Sequence, residues 1–181
     1  VGFKIGPALA SGCSLIIKPS EISPISFYLL GKILHEIDFP AGVVNILTGP
    51  PEKVATTMTK SNIPSVVTMI GSTKTGKQVI ADSSSSVKKL SMELGGNAPF
   101  IVFEDSKMGA ALDLAIGIKF GNCGQICVAA NRFFIHENIY DDFLKSYVDR
   151  VKKLKLGFGK DSDGDMGPLV NRQGQERMIE I

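Results

Sequence analysis

The chain has 181 residues, of which 44% are hydrophobic and 21% are charged. This composition is typical of a globular protein and excludes a disordered, collagen-like or coiled-coil chain. Twenty Lys and Arg against 18 Asp and Glu leave a formal charge of +2, which is too small to indicate nucleic acid as a partner. The sequence has no run of about 18 apolar residues, so we expect no membrane span.

The three cysteines, Cys13, Cys123 and Cys127, cannot all pair in disulfides and lack zinc-finger spacing with His35 and His136. This pattern favours a reducing compartment, so we expect a cytoplasmic protein without a metal site. Cys13 lies beside a strand pattern and is expected to be buried filler. The chain lacks an initiator Met and stops within a helical pattern, and we therefore expect a segment of a longer protein.

Short apolar runs alternate with helical patterns along the first half of the chain. The patterns predict strands over 14–17, 43–47 and 66–70 and helices over 23–37, 52–59 and 74–81, with Ser23 as the cap of the first helix. Alternation of this kind predicts parallel strands with right-handed crossovers, which is a doubly wound α/β domain. Because the strands are apolar throughout, we expect both of their faces to be covered.

A second series begins after a pair of glycines. A strand over 87–92 is interrupted at 93–96, and then strands over 99–103 and 132–136 alternate with helices over 107–120 and 139–153. Paired glycines let the backbone turn sharply, so we place a domain boundary there. The sequence thus predicts one domain over 1–93 and the start of a second α/β domain over 94–181.

The segment Gly71-Ser72-Thr73-Lys74-Thr75-Gly76 follows a strand and opens a helix. The free N–H groups and dipole of a helix N-terminus favour an anion, and glycine lets a phosphate approach the backbone. The segment is neither the dinucleotide fingerprint G-x-G-x-x-G nor a complete phosphate loop. An ordinary strand-to-helix turn therefore stays open as the alternative.

The segment Lys18-Pro19-Ser20-Glu21 lies at the carboxyl end of the first strand, where open α/β sheets bind their ligands. A Lys and a Glu at that edge can bond the hydroxyls of an adenosine ribose. The carboxylate would repel a 2′-phosphate and so favour NAD over NADP. The alternative is a solvated Lys with an acid placed near a helix start.

Two residues have the chemistry of a nucleophile and a base. Cys127 lies among glycines and amides, a setting that favours an exposed nucleophile whose neighbouring N–H groups bind an oxyanion. Glu93 follows an apolar strand, and desolvation there would raise its pKa toward that of a general base. The alternatives are a buried small residue for the cysteine and a salt-bridged or exposed acid for the glutamate.

Taken in order, four segments resemble the signatures of the aldehyde dehydrogenase superfamily, and the likeness covers essentially the whole chain. They are Lys18-Pro19-Ser20-Glu21, Gly71-Ser72-Thr73 with Gly76, Glu93-Leu94-Gly95-Gly96-Asn97, and Gly124-Gln125-Ile126-Cys127. The resemblance implies a Rossmann-like NAD(P)-binding domain followed by a catalytic domain with a nucleophilic cysteine.

The resemblance also implies roles for single residues. Cys127 would add to an aldehyde to give a thiohemiacetal and then a thioester, with NAD, or alternatively NADP, as hydride acceptor. Glu93 would activate the water that hydrolyses the thioester. The implied cofactor-binding residues are Lys18, Ser20, Glu21, Gly49, Gly71, Ser72, Gly76 and Leu94.

The stretch from Lys89 to Phe103 and the later Gly167 to Val170 most resemble succinate-semialdehyde dehydrogenases. Two positions depart from that group. Gly121 stands where an Arg usually binds the substrate carboxylate, and its loss should weaken a charged substrate. Ala129 stands where some members have a second Cys as a redox switch, and Cys123 is expected to be a spectator thiol, with a regulatory disulfide to Cys127 as the alternative.

The resemblance implies that two parts of the active site lie outside the chain, namely an oxyanion-hole Asn before it and a ribose-binding Glu after it. We therefore expect little turnover from this segment alone, and a homodimer or homotetramer for the parent. Two alternatives stay open. A coenzyme-A-acylating aldehyde dehydrogenase is disfavoured by Glu93, and a catalytically silent NAD-binding relative is disfavoured by Cys127, Glu93 and Lys18 together.

Overall fold

A computed structural model describes residues 2–160 and 163–180. The chain divides into two structural units, Val1–Leu94 and Gly95–Ile181. The roles expected for the two halves, cofactor binding and catalysis, stay predictions. In the described residues no helix is long and apolar enough to cross a membrane.

The first unit alternates helices with parallel strands. Its helices are α1 (Gly2–Ala10), α2 (Ile25–Glu36), α3 (Pro51–Lys60) and α4 (Thr73–Asp82), and its strands are β1 (Leu15–Ile17), β2 (Val44–Ile46), β3 (Val66–Gly71) and β4 (Lys89–Leu94). β1 pairs with β2 and β3 pairs with β4, both in parallel. Parallel partners cannot be joined by a tight hairpin, so the helices serve as crossovers. The predicted α/β class with parallel strands is confirmed.

The strands of this unit are less covered than their apolar sequences predict. Among the described residues β1–β2 and β3–β4 form separate two-stranded ladders. Val66 and Ile70 of β3 are 55% and 64% exposed, so the described residues do not cover both faces of every strand as expected. An apolar run gives a strand two apolar faces, but a face is buried only where another element packs on it.

Two details of the helices differ from the sequence-based predictions. Ser23 does not cap α2, because the helix begins at Ile25 with Pro24 as the N-cap residue and no side-chain bond there. The N–H groups of Phe27 and Tyr28 bond instead to the Pro24 carbonyl. Helix α1 was not predicted, because its glycines and the internal Pro7 disguise the helical pattern.

The second unit contains a parallel strand pair packed against helices. Its elements are β5 (Ala98–Val102), α5 (Met108–Phe120), β6 (Ala130–Ile135), α6 (Tyr140–Val151) and α7 (Arg172–Ile179). The buried core consists of Val102, Leu112, Ala115 and Phe143, and the ring of Tyr147 stacks on Phe143 with centroids 5.9 Å apart. This core fixes the end of α5 and the start of β6, and the segment between them carries Cys127.

The core of the second unit depends on Phe143, which is 3% exposed. Phe143→Ala should lower the free energy of unfolding by about 3–5 kcal/mol, because it leaves a cavity beside Ala115 and Tyr147. Urea denaturation of the protein that carries this chain measures the change. Phe158→Ala is the matched control, since Phe158 is 82% exposed and should cost little. Equal costs for the two variants would contradict this view of the core.

Candidate active site

Glu93 lies inside β4, opposite Ile70 of β3, rather than in the interruption expected at 93–96. Ser91 and Glu93 are two residues apart on the strand and therefore project to the same face. Lys4 of α1 reaches this face, where its Nζ donates a hydrogen bond to Ser91 Oγ at 3.2 Å and lies 3.6 Å from Glu93 Oε1. The candidate base thus has a cationic partner from a distant part of the sequence.

The contact of Lys4 with Glu93 was not predicted from the sequence. Lys4 is the one charged residue in the otherwise apolar or small segment 1–10. A single lysine in such a segment indicates a contact with an acidic residue. Because no helix was predicted there, the sequence did not indicate which acid it contacts. The lysine side chain is partly buried, whereas the carboxylate of Glu93 is more exposed.

Cys127 lies on the loop that joins α5 to β6, and its side chain is exposed. A 3₁₀ turn over Gly121–Gly124 opens this loop. Ala129 and Ala130 after it are buried, so the cysteine stands between a helix end and an anchored strand. An exposed thiol on an anchored loop is the placement that a nucleophile requires.

Cys13 is also exposed, which corrects the expectation of buried filler, because it follows the turn at Gly12 instead of lying within β1.

The backbone of the loop before Cys127 has an unusual conformation. Asn122, Cys123 and Gly124 have φ values of 50°, 58° and 71°, so three consecutive residues are left-handed. Glycine adopts this region freely and asparagine tolerates it, but a cysteine there is strained. A Cβ at Gly124 would also lie 3.0 Å from the Lys119 carbonyl oxygen, so this position favours glycine twice over.

Lys18 and Glu21 meet at the carboxyl end of β1, as the sequence predicted for their location. The Lys18 Nζ donates to Glu21 Oε2 at 3.1 Å and to the Pro19 carbonyl at 2.9 Å. A hydrogen bond from backbone N–H at Glu21, followed by the bond from Lys18, holds the pKa of the Glu21 carboxyl below its ordinary value. Ser20 Oγ accepts a bond from the Ile22 N–H at 3.3 Å and so shapes the same turn.

Ser72 caps α4. Its Oγ accepts the Thr75 N–H at 3.1 Å and lies 2.9 Å from Thr75 Oγ1. This is the ordinary strand-to-helix turn that the sequence left open as an alternative, and a contact of Ser72 with a pyrophosphate stays a prediction. Gly71 ends the preceding strand.

Two other predicted glycines have packing reasons. A Cβ at Gly76 would lie 2.6 Å from Cδ2 of Leu94, so a larger residue there would have to displace the Leu94 side chain. Gly49 has a φ of +145°, and a Cβ on it would lie 2.8 Å from Val54 Cγ2. The predicted cofactor-binding positions of this unit therefore all follow or border carboxyl ends of its parallel strands. No group of His, Cys, Asp or Glu residues in 2–160 and 163–180 could hold a metal ion.

Comparison with known proteins adds a family match. A sequence model described as the aldehyde dehydrogenase family matches residues 1–181. A 3,6-anhydro-alpha-L-galactose dehydrogenase of Vibrio sp. is 38% identical over 98% of this chain and 37% of its own length. Succinate-semialdehyde dehydrogenase [NADP(+)] 1 of Schizosaccharomyces pombe is 42% identical over 94% of the chain and 34% of its own length.

A solved structure is similar over nearly the whole chain. Betaine aldehyde dehydrogenase of Staphylococcus aureus, in complex with NAD+, aligns with a TM-score of 0.92 and 35% identity over 98% of this chain and 35% of its own. The chain thus spans about a third of the length of the relatives it matches.

Proposed function

The chain belongs to the aldehyde dehydrogenase family, and we propose that the full-length protein oxidises an aldehyde to a carboxylic acid with NAD(P)+. The observation that carries the proposal is the exposed Cys127 on a loop anchored between α5 and β6. Its thiolate adds to the aldehyde carbon to give a thiohemiacetal, and loss of hydride from that carbon leaves a thioester. Water then releases the acid and regenerates the thiol. When bound, NAD(P)+ supplies the acceptor for the hydride.

The backbone beside the nucleophile supports oxyanion binding. Within residues 2–160 and 163–180 the Cys127 N–H has no hydrogen-bond partner, whereas the N–H groups of Gln125 and Ala129 bond within the loop. A free N–H next to the attacking sulfur can stabilise the oxygen that becomes negative during addition. The resemblance assigns the second donor of this hole to an Asn that precedes the chain.

Glu93 supplies the base in this proposal, and Lys4 positions it. A carboxylate that accepts a proton from water makes the water nucleophilic toward the thioester carbon. The ion pair with Lys4, together with the Lys4–Ser91 hydrogen bond, holds the carboxylate on one face of β4. Glu93 and Cys127 belong to different structural units. The proposal that they act in one reaction is based on the chemistry of a carboxylate base and a thiol nucleophile.

The residues at the end of β1 fit the adenosine ribose of a nicotinamide dinucleotide. A ribose presents two adjacent hydroxyls, and the Lys18 ammonium can donate to one while the Glu21 carboxylate accepts from the other. The Glu21 carboxylate, whose pKa lies below its ordinary value, is charged at neutral pH and disfavours a 2′-phosphate. We therefore propose a preference for NAD over NADP, although several relatives are named for NADP(+).

Relatives with a semialdehyde in their names suggest the substrate class. They act, by name, on succinate semialdehyde or glutarate semialdehyde, and succinate semialdehyde is our proposed substrate. Gly121 lacks the cationic side chain that would bind the distal carboxylate. We therefore propose that the site accepts a semialdehyde with reduced affinity and takes uncharged aldehydes as well.

We further propose that the full-length protein is a homo-oligomer of the cytoplasm. The resemblance to the family supports the homo-oligomer. The three cysteines, which are all unpaired, support a reducing compartment. Light scattering and cell fractionation of the full-length protein measure the two properties.

The roles of Cys127 and Glu93 can be separated by substitution in the full-length protein. Cys127→Ala should abolish aldehyde-dependent NADH formation, because no thiohemiacetal forms. Glu93→Gln should give one burst of NADH and then slow turnover by about 10²- to 10⁴-fold, because the thioester accumulates. Lys4→Met should slow the same hydrolysis step by a smaller factor. Stopped-flow absorbance and intact mass of the acyl-enzyme measure these steps.

Matched controls complete this experiment. Cys13→Ala and Lys32→Met should leave turnover unchanged, since the only ion pair of Lys32 among the described residues is with Glu36 on the surface of α2. Turnover that survives in Cys127→Ala would refute the proposal. Acyl-coenzyme A as the product, formed only when coenzyme A is added, would favour the acylating alternative, and NAD binding without any turnover would favour the silent one.

Gly121→Arg tests the substrate class. Gly121 has φ −53° and ψ 130°, a conformation open to any residue, and a Cβ there would meet Ile126 at an ordinary 3.6 Å. The added guanidinium should lower KM for succinate semialdehyde about 10-fold by a charge-assisted bond, with no such change for butanal. Gly121→Met controls for bulk. An equal change for both aldehydes would show that Gly121 lies away from the substrate carboxylate.

Glu21→Gln tests coenzyme selection. Loss of the negative charge should raise the ratio of kcat/KM for NADP+ to that for NAD+ by about 10-fold, because the 2′-phosphate is no longer repelled. The lowered pKa of Glu21 means that repulsion persists above pH 4.5 and is lost only as the pH falls below that value. Initial rates at pH 7.5 measure the ratio, with Glu36→Gln as the control. An unchanged ratio would show that Glu21 does not contact the adenosine ribose.

A further inference from the structure

The loop before Cys127 is held in its left-handed conformation by bonds that centre on Gln125. The Gln125 N–H donates to the Asn122 carbonyl at 3.1 Å, and Gln125 Nε2 donates to the same carbonyl at 3.0 Å. In return Asn122 Nδ2 donates to the Gln125 carbonyl at 3.2 Å. Strained backbone of this kind persists only where the surrounding bonds fix it.

Gln125 also ties the loop to a part of the chain 45 residues away. Its Oε1 accepts the Val170 N–H at 3.0 Å. A second tie lies beside it, since the Cys123 Sγ is 2.6 Å from the Gly167 carbonyl oxygen. The loop is therefore bonded to the segment 167–170, which lies outside the helices and strands and precedes α7.

The two ends of the Gln125 amide do different work. The NH₂ end donates to the loop itself, and the oxygen accepts from the segment 167–170. A carboxylate of the same length keeps the acceptor and loses the donor, and a thioether loses both. An amide at this position is therefore the side chain that satisfies the loop and the segment together.

We propose that Gln125 is a positioning residue that sets the place of the Cys127 thiol by bonding its loop to the segment 167–170. The inference rests on the proposed function in that Cys127 is the nucleophile. Gln125 lies two residues before Cys127 and is exposed, so it acts on the geometry of the loop more than on the folding of the unit. A displacement of about 1 Å at a reacting atom costs about 100-fold in rate.

The test compares three variants of the full-length protein. Gln125→Met should speed hydrogen exchange of the Val170 amide about fivefold, the effect of losing one exposed hydrogen bond. It should also slow the alkylation of Cys127 by iodoacetamide and the NADH burst by about 10- to 100-fold, with KM for NAD+ unchanged. Gln125→Glu should keep the slow exchange at Val170 while losing part of the Cys127 reactivity. Gln175→Met, an exposed glutamine of α7, should change none of these.

Two results would overturn the proposal: a Gln125→Met variant with unchanged exchange at Val170, or one with unchanged alkylation of Cys127. A fall in kcat that comes with an equal loss of NAD+ affinity or of thermal stability would also overturn it, because it would show a general structural role. Exchange and alkylation do not require turnover. If the wild-type protein oxidises no aldehyde while both readouts respond, the proposed function fails and the positioning role stands.

Discussion

Packing around Ala115 and Phe143 holds both ends of the segment that carries Cys127. Val102 and Leu112 complete this cluster. It fixes the positions of α5 and β6, which flank the loop. The loop between them has no core of its own, and its thiol is exposed. A nucleophile needs this combination, because a buried thiol cannot reach a substrate and an unanchored one has no fixed direction of attack.

The first unit places its acids by a related principle. Glu21 follows β1 and Glu93 is the last residue but one of β4. Each carboxylate pairs with a lysine that is more buried than the acid, Lys18 and Lys4 respectively. Both lysines also bond a second oxygen, from Pro19 or Ser91. An exposed ion pair contributes little to folding. The value of these pairs is that they fix where a carboxylate stands at the carboxyl edge of parallel strands.

Sequence patterns predicted the α/β class and most of the strands and helices, because apolar periodicity and Gly–Pro turns report directly on local structure. They failed where tertiary packing decides. Helix α1 contains Pro7 and two glycines, so its pattern indicated no helix, and the ion pair of its Lys4 with Glu93 was therefore not predicted. Exposure of Ile70 and of Cys13 also depends on which faces other elements cover, and a local pattern carries no such information.

The candidate site followed a similar division. The predicted cofactor-binding residues lie at or beside strand ends, as the sequence indicated, and Cys127 lies on the loop before β6. The bond from Val170 to Gln125 joins residues 45 positions apart and has no local signature. The left-handed turn at Asn122 and Cys123 was also not predicted, since a cysteine rarely adopts this conformation and Gly124 alone does not specify the turn.

The contact between Gly76 and Leu94 makes these two positions interdependent. A methyl group at the first would occupy the space of the isobutyl group at the second, so natural homologues with alanine in the helix should compensate with a shorter side chain in the strand. Leu94 directly follows Glu93. A larger residue at position 76 would therefore displace the side chain next to the candidate base.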